Sequence, residues 1–402
     1  MRGRGLLFIL LTDFYDQIFS NPPRPKWGGQ INTKVTVITP GLLTNILFIT
    51  DNTFIRIISY LIFLFLLLLK NMRRQSLKLC FLLLLISSFL NVTSQDKGIT
   101  RDDKIRIREA INLSPAGNKL WDNFHSVPFV ILLITDSSEY LMNHPNPSTD
   151  FVLSGTDEVL RTKVFFRKKV FNPHFLATFP AVNGVPTIVV GTPANTNKAS
   201  TEWIITLLHE HFHQYQMTFP KYHENVNSLD LSGGDQTGMW MLNYPFPYDS
   251  IPVMEQYNQL TKALALALNA PQKNFPLQLK NYITERRKFK ALLSPADYRY
   301  LTFQLWQEGI ARYTEYKFLE LLQDKLLSKE VARIKDHTTF KDGKLKLYKN
   351  EMNNILTMKL DEGKRICFYS LGFGEGLLLD RINKNWRKNY LGDIFFMEKY
   401  LQ

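Results

Sequence analysis

The run LLHEHFHQY at residues 207–215 constrains this chain more than any other feature of its sequence. Apolar residues recur around it at the three- and four-residue spacing of a helix, so the sequence predicts a buried helix over residues 201–217. On that helix His209 and His213 are one turn apart and share one face. Because buried imidazoles need polar partners, whatever packs around this helix must provide them.

The spacing of these histidines is that of a pair of metal ligands. Imidazole nitrogens four residues apart on a helix can reach one zinc ion at about 2.0–2.1 Å. Glu210, next to the first histidine, can take a proton from a water on the metal without ligating it. The pattern therefore predicts a Zn²⁺ site with His209 and His213 as ligands and Glu210 as catalytic base. The alternative is a solvated histidine-rich turn that binds no metal.

A catalytic zinc needs a third protein ligand and one open position. The astacin-like pattern would place a histidine at position 219, which is Phe219. The thermolysin-like short spacing would place a glutamate about twenty residues after His213, where residues 231–234 read LSGG. Two candidates remain, Glu224 nearby and Glu308 in the run WQEGIARYTE.

Together, HEHFH and the distant W-x-E-G-x-A-x-Y-x-E run resemble the gluzincin class of zinc metallopeptidases, in which a second helix supplies a glutamate as third ligand. The match covers these two short segments only. The resemblance implies three zinc ligands and a general base: His209, His213 and Glu308, with Glu210. It favours Glu308 over Glu224.

Residues around Glu308 extend this interpretation. Small Gly309 and Ala311 would let this helix approach the helix of the histidines. Glu315, two turns after Glu308, is predicted to accept a hydrogen bond from the second nitrogen of a ligating histidine. The alternative for Glu315 is an ion pair with Arg312 or Lys317.

Substrate-binding groups are less clearly marked. Tyr369, expected to precede a helix, resembles the transition-state tyrosine of related enzymes, and Arg381 is a second candidate; for both the alternative is a structural role. The aromatic, proline-rich segment 238–248 either caps the core or lines a substrate cleft. The apolar run 185–190 is a candidate edge strand that could pair with an extended peptide.

Patterning after residue 94 indicates an α+β protein, with a small sheet-containing half (95–199) packed on a mainly helical, zinc-metallopeptidase-like half (200–402). The predicted strands are 128–135, 159–170 and 185–190. The predicted helices are 101–112, 201–217, 253–268, 295–322 and one or two within 375–401.

The N-terminal region carries two apolar segments, 57–69 and 79–90, both short of the roughly 20 residues that cross a bilayer. The second has a basic leader after Met72 and small residues before Gln95, as in a signal peptide. We therefore predict that residues 72–94 are a cleaved signal peptide, that residues 1–71 are an upstream extension without a folded role, and that the protein is periplasmic or secreted. The alternative is a membrane anchor with the catalytic part outside the cytoplasm.

The charge of the chain does not indicate a nucleic-acid partner. The net charge is +13, but residues 1–94 hold ten Lys/Arg against three Asp/Glu and so carry a surplus of seven. The rest lacks a basic run interleaved with aromatic residues. The sequence thus favours an exported zinc metallopeptidase acting on peptides or proteins. The alternatives are a non-catalytic binding or scaffold protein on a similar fold, and a membrane-associated structural protein.

Overall fold

The computed structural model describes residues 98–392 and 394–401, all of which belong to one compact unit. The two apolar segments, the predicted signal peptide 72–94 and the predicted extension 1–71 lie outside the described residues. Among the helices that are described, none combines the length and the apolarity needed to cross a membrane. The predicted α+β class is confirmed, because a six-stranded sheet precedes a long helical region.

The sheet is mixed, with strand order β3-β4-β2-β1-β6-β5. Only the β1–β6 pair is parallel, and the other neighbours are antiparallel. The strands are β1 (Ile131–Ile134), β2 (Ser138–Met142), β3 (Val152–Asp157), β4 (Thr162–Lys168), β5 (Leu176–Val182) and β6 (Val185–Gly191). Central β1 is fully buried, as its continuous apolar sequence predicts.

Eleven α-helices are described. They are α1 (Arg101–Leu113), α2 (Ser200–Gln216), α3 (Tyr222–Ser228), α4 (Trp240–Asn243), α5 (Ile251–Asn269), α6 (Phe275–Leu292), α7 (Pro295–Gln304), α8 (Ile310–Leu322), α9 (Phe340–Thr357), α10 (Leu360–Gly363) and α11 (Ile366–Ile382). Short 3₁₀ turns make up most of the remaining helical structure, including the segment after α11.

Helix α2 is the buried centre of the molecule and is fixed to the sheet at both ends. Near its start the Trp203 indole donates to the carbonyl of Gly191 in β6. Near its end the Gln214 amide donates to the carbonyls of Val130 and Pro186. These bonds set the rotation of α2, and with it the direction of each histidine.

The predicted helix 295–322 is interrupted. Residues Leu305–Gly309 form a π-helical turn between α7 and α8, a feature that sequence periodicity does not reveal. Such turns are rare and occur often at functional sites. This one contains Glu308.

Glycines allow α11 to cross directly over the π turn. A β-carbon on Gly309 would lie 2.5 Å from the α-carbon of Gly372, so no larger residue fits without backbone movement. The expectation that Gly309 brings Glu308 close to the histidine helix is wrong in this respect, because its open side faces α11. The crossing instead places Gly309 against Gly372 and the backbone carbonyl of Phe368 in α11.

One strand prediction needs correction, and the strand at the sheet edge was not predicted. The run 185–190 does form a strand, β6, but it lies inside the sheet between β1 and β5. The edge strand on this side is β5, which the sequence analysis missed because Pro180 interrupts its apolar pattern. Proline is tolerated at a sheet edge, where its missing N–H costs no ladder bond.

Candidate metal centre

The predicted ligands His209 and His213 lie together on one buried face of α2, with ring centroids 4.9 Å apart. One nitrogen of each histidine and one carboxylate oxygen of Glu210 lie within 4.8 Å of one another, a group that could hold a metal ion. The structure thus brings together the three residues of the motif, as the spacing predicts.

Each imidazole has its Nδ1 atom turned to an oxygen. Nδ1 of His213 lies 2.7 Å from Oε1 of Gln216 and 3.0 Å from the amide nitrogen of Gln307, and Nδ1 of His209 lies 3.3 Å from Oε2 of Glu315. The second contact misses the angle of a regular hydrogen bond, yet it still favours a proton on Nδ1. Both rings therefore present Nε2 as the nitrogen available to a metal, the arrangement that oriented metal ligands show.

Glu308 completes the group from the π turn. Its Oε2 lies 3.5 Å from Nε2 of His213, although 95 residues separate the two in sequence. The competing candidate, Glu224, is exposed to solvent on α3. The geometry therefore favours Glu308 as the third ligand.

Gln216 fastens the π turn to α2. Its amide nitrogen donates to the carbonyls of Trp306 and Gln307 and to the hydroxyl of Tyr390, while its oxygen faces His213. Carbonyls that a regular helix would use internally are thus shared with a side chain from α2. One residue holds both His213 and the turn that carries Glu308.

Glu210 is held against the sheet edge. The hydroxyl of Thr178, in β5, lies 2.8 Å from Oε2 of Glu210 and 3.0 Å from its backbone carbonyl. Glu210 is buried, so this bond fixes one carboxylate oxygen and leaves the carboxylate beside the two histidines.

Charges in the pocket oppose the cost of burial. Burial disfavours a proton on His213, but the carboxylates of Glu308 and Glu210 outweigh it and raise the pKa of His213 to about 9. Burial would raise the pKa of Glu308, yet His213, Arg365 and His209 lower it to about 2. Without a metal, the site is therefore an imidazolium–carboxylate pair at neutral pH.

Behind His209 lies a second charged layer. Arg312 is 2.6 Å from Oε2 of Glu315 and 3.5 Å from Oε1 of Glu351. Burial favours the neutral form of Glu315, but Arg312 and His209 lower its pKa to about 2. Glu315 thus forms the ion pair with Arg312 that was considered for it and also contacts His209, without a hydrogen bond of regular geometry.

Tyr369 and Arg381 have different environments. Tyr369 lies within α11 rather than before a helix. Its hydroxyl accepts from Nη1 of Arg365 at 2.8 Å, and burial and the carboxylate of Glu308 raise its pKa. Arg381 donates to the carbonyls of Ala267, Leu268 and Ala270 at the end of α5. The role in the transition state considered for Arg381 is therefore wrong, because its guanidinium caps the end of α5.

The sequence analysis missed four residues that shape this centre: Thr178, Gln216, Glu351 and Arg365. Only Gln216 had a usable signal, because it lies three residues after His213 and so on the same face of α2. The other three reach the site through tertiary structure.

The donor set fits a divalent metal ion. Two imidazoles with oriented Nδ1 atoms and one carboxylate are a ligand combination found in catalytic zinc sites. The identity of the metal is not fixed by these side chains. Comparisons of this chain with models of known families, with curated proteins and with solved structures find no match.

Proposed function

We propose that this protein is an exported zinc metallopeptidase. The observation that carries the proposal is the buried group of His209, Glu210 and His213 on α2, with Oε2 of Glu308 3.5 Å from Nε2 of His213. With Glu308 as the third ligand, the carboxylate of Glu210 is available to act as a base, which metal storage or scaffolding does not need. Export is supported only by the signal-peptide features of residues 72–94.

In this proposal a bound zinc ion would polarise a carbonyl group and lower the pKa of its water to about 7. Glu210 would take the proton of that water and pass it to the leaving amine. The bond from Thr178 to Oε2 would keep the carboxylate oriented, with Oε1 as the oxygen that carries the proton. Tyr369 would donate a hydrogen bond to the oxygen that gains negative charge.

A substrate position follows from strand β5. Within the described part of the chain, β5 pairs only with β6, so no strand is paired along its outer edge. Thr178 lies on β5 and contacts Glu210, so a peptide paired with this edge would pass the catalytic base. This replaces the edge-strand role considered for residues 185–190 and supports an extended peptide as substrate.

The test is Glu210→Gln, which keeps the shape of the side chain but removes the base. We expect the variant to retain zinc, measured by elemental analysis, and to lose about 10²–10⁴-fold of its peptide hydrolysis. Glu224→Gln is the matched control, because the same change on the exposed helix α3 should alter neither property. If Glu210→Gln hydrolysed peptides at the wild-type rate, the proposed chemistry would be wrong. Undiminished biological activity without hydrolysis would favour the scaffold alternative.

A further inference from the structure

We propose that a strip of phenylalanines beside β5 binds a large apolar side chain of the substrate, next to the bond that is cleaved. The phenylalanine strip consists of Phe171, Phe175 and Phe179, with Ala177 between the last two. This inference rests on the proposed function, including the pairing of a peptide with β5. It specifies the kind of peptide that the site would accept.

The two faces of β5 have different surroundings. Thr178 faces α2, where its hydroxyl lies 2.8 Å from Oε2 of Glu210. Its neighbours Ala177 and Phe179 face the opposite side of the sheet, because successive side chains of a strand alternate. Phe179 packs there against an apolar cluster that is separate from the main core. The proposed catalytic base and the phenylalanine strip thus meet consecutive residues of β5, on opposite faces of the sheet.

The three rings of the strip pack together. The ring centroid of Phe171 lies 6.1 Å from that of Phe175 and 5.6 Å from that of Phe179. All three side chains are only partly buried, although they pack against apolar residues of β1 and β6. Ala177 adds only a methyl group between Phe175 and Phe179. The strip therefore presents aromatic surface on the face of the sheet that is turned away from α2.

Phe171 is held in place by a buried carboxylate. Its backbone N–H and that of Val170 both donate to Oε1 of Glu139. Glu139 is fully buried and pairs with Arg167 at 2.7 Å, and Arg167 also lies 2.7 Å from a carboxylate oxygen of Asp150. The guanidinium is thus already paired with two carboxylates, so the strip offers a substrate aromatic rings rather than an unpaired charge.

A peptide paired with β5 would place alternate side chains beside the strip. Side chains directly opposite each other on neighbouring strands have β-carbons about 4.5–5.5 Å apart. A substrate residue opposite Thr178 would point to the side of the sheet on which Glu210 lies, and the residues before and after it would point to the phenylalanines. Whichever bond beside Glu210 is cleaved, one of its two flanking side chains therefore faces the strip.

Segment 238–248 is the other aromatic surface considered for a substrate. Phe246 is buried against Phe368 of α11, and Tyr244 stacks on Tyr300 of α7 with centroids 4.4 Å apart. These contacts fit the core-capping role considered for the segment. Its role in a cleft stays a prediction, and variants of the phenylalanine strip separate the two surfaces.

The experiment compares matched peptides that differ only at the two residues of the cleaved bond, incubated with zinc-loaded full-length protein. With phenylalanine or leucine at one of these positions, we expect a kcat/KM at least about tenfold larger than with serine or aspartate, mainly through KM. Mass spectrometry locates the cleaved bond and measures the rate. Cleavage at equal rates for all four side chains would overturn the inference and leave the metallopeptidase proposal standing. No cleavage of any peptide by the zinc-loaded wild type would overturn both.

Variants test the part played by the strip. In Phe179→Ala the preference for an apolar side chain should fall to about threefold or less, with zinc content unchanged. Phe179→Leu should keep most of the preference. Phe166→Ala is the matched control, because Phe166 is 37% exposed on β4 and three strands separate β4 from β5. A full preference in Phe179→Ala would overturn the inference and assign the selection to another surface, such as segment 238–248.

Binding gives a readout that does not depend on turnover. Zinc-loaded Glu210→Gln should bind the phenylalanine peptide at least about tenfold more tightly than the serine peptide in a fluorescence anisotropy titration. Adding Phe179→Ala should remove most of this difference, whereas adding Phe166→Ala should preserve it. Equal affinities of Glu210→Gln for the two peptides would contradict the inference.

Discussion

His211 and His213 lie two residues apart on α2 and have opposite environments. His211 faces the sheet, between the rings of Phe124 and Phe129 at 4.8 and 4.4 Å. Burial without a nearby carboxylate lowers its pKa to about 4. On the other face, the carboxylates of Glu308 and Glu210 more than offset burial and raise the pKa of His213 to about 9.

The comparison shows that residue type alone does not define a site. Both histidines are buried on one helix, and each has its Nδ1 atom 2.7 Å from a glutamine oxygen three residues later. The amide nitrogen of Gln214 donates to carbonyls at the sheet, whereas the amide nitrogen of Gln216 donates to carbonyls of the π turn. The function of each imidazole is thus decided by the element that the rest of the chain places opposite it.

The largest expected difference between the His213 face and the His211 face of α2 is in metal binding. We expect His213→Ala to lower zinc affinity at least 100-fold, more than loss of an outer partner would. His211→Phe, which replaces one ring by another between two aromatic side chains, should leave zinc affinity unchanged. Competition with a chromophoric chelator measures both, and equal losses in the two variants would refute the separation.

Stability of the metal-free protein should depend on pH in opposite directions for the two residues. The unfolded chain binds a proton at His211 between pH 6.5 and about 4 that the folded chain does not, so stability falls as the pH decreases through this range. The folded chain holds a proton on His213 between pH 6.5 and about 9, so that contribution is lost as the pH rises.

The pH-dependent contributions of His211 and of His213 to the free energy of unfolding should each be roughly 3 kcal/mol. Urea unfolding in the presence of a chelator should therefore show a maximum near neutral pH. His211→Phe should flatten the acid side only, and His213→Gln the alkaline side only. A wild-type profile that does not change from pH 7 to 9 would contradict the high pKa of His213.

A smaller effect should follow from the layer behind His209. Glu315→Gln keeps the size of the side chain but weakens its hold on the Nδ1 proton, so zinc affinity should fall about 10–100-fold. Isothermal titration measures this change. Glu320→Gln, which alters a partly exposed carboxylate on the same helix, is the control and should have no effect.

The smallest expected effect is a loss of stability from the face of α2 that contacts the sheet. Gln214→Leu removes the bonds to the carbonyls of Val130 and Pro186 and the oxygen that faces Nδ1 of His211. The Val130 carbonyl keeps its bond from the N–H of Ile188, so we expect a cost of about 1–3 kcal/mol of stability. Zinc affinity should remain that of the wild type. If affinity fell as far as stability, the two faces of α2 would not be independent.

The sequence predicted those parts of the site that depend on local spacing. His209, Glu210 and His213 follow from helical periodicity, and the E-G-x-A run singled out Glu308. The sequence pattern could not reveal that Glu308 lies on a π turn, because that geometry depends on Gln216 and on the crossing of Gly309 with Gly372. Thr178 was missed because β5 has a proline in its pattern.

The fold class was predicted correctly, but several elements were not. β2 was missed because it buries Glu139, whose charge is balanced by Arg167 at 2.7 Å from a neighbouring strand. Helices α6 and α9 were missed because they are largely polar and exposed. In each case a distant residue or the solvent, rather than the local pattern, determines the structure.

Zinc content of the purified full-length protein tests the central claim most directly. Elemental analysis of the wild type, Glu308→Ala and Glu224→Ala compares the two candidate third ligands under identical conditions. We expect about one zinc per chain in the wild type and in Glu224→Ala, and loss of zinc in Glu308→Ala, as expected for a site of three protein ligands. A wild type that takes up no zinc even when it is supplied, or a Glu308→Ala protein that binds it normally, would contradict the metal centre described above.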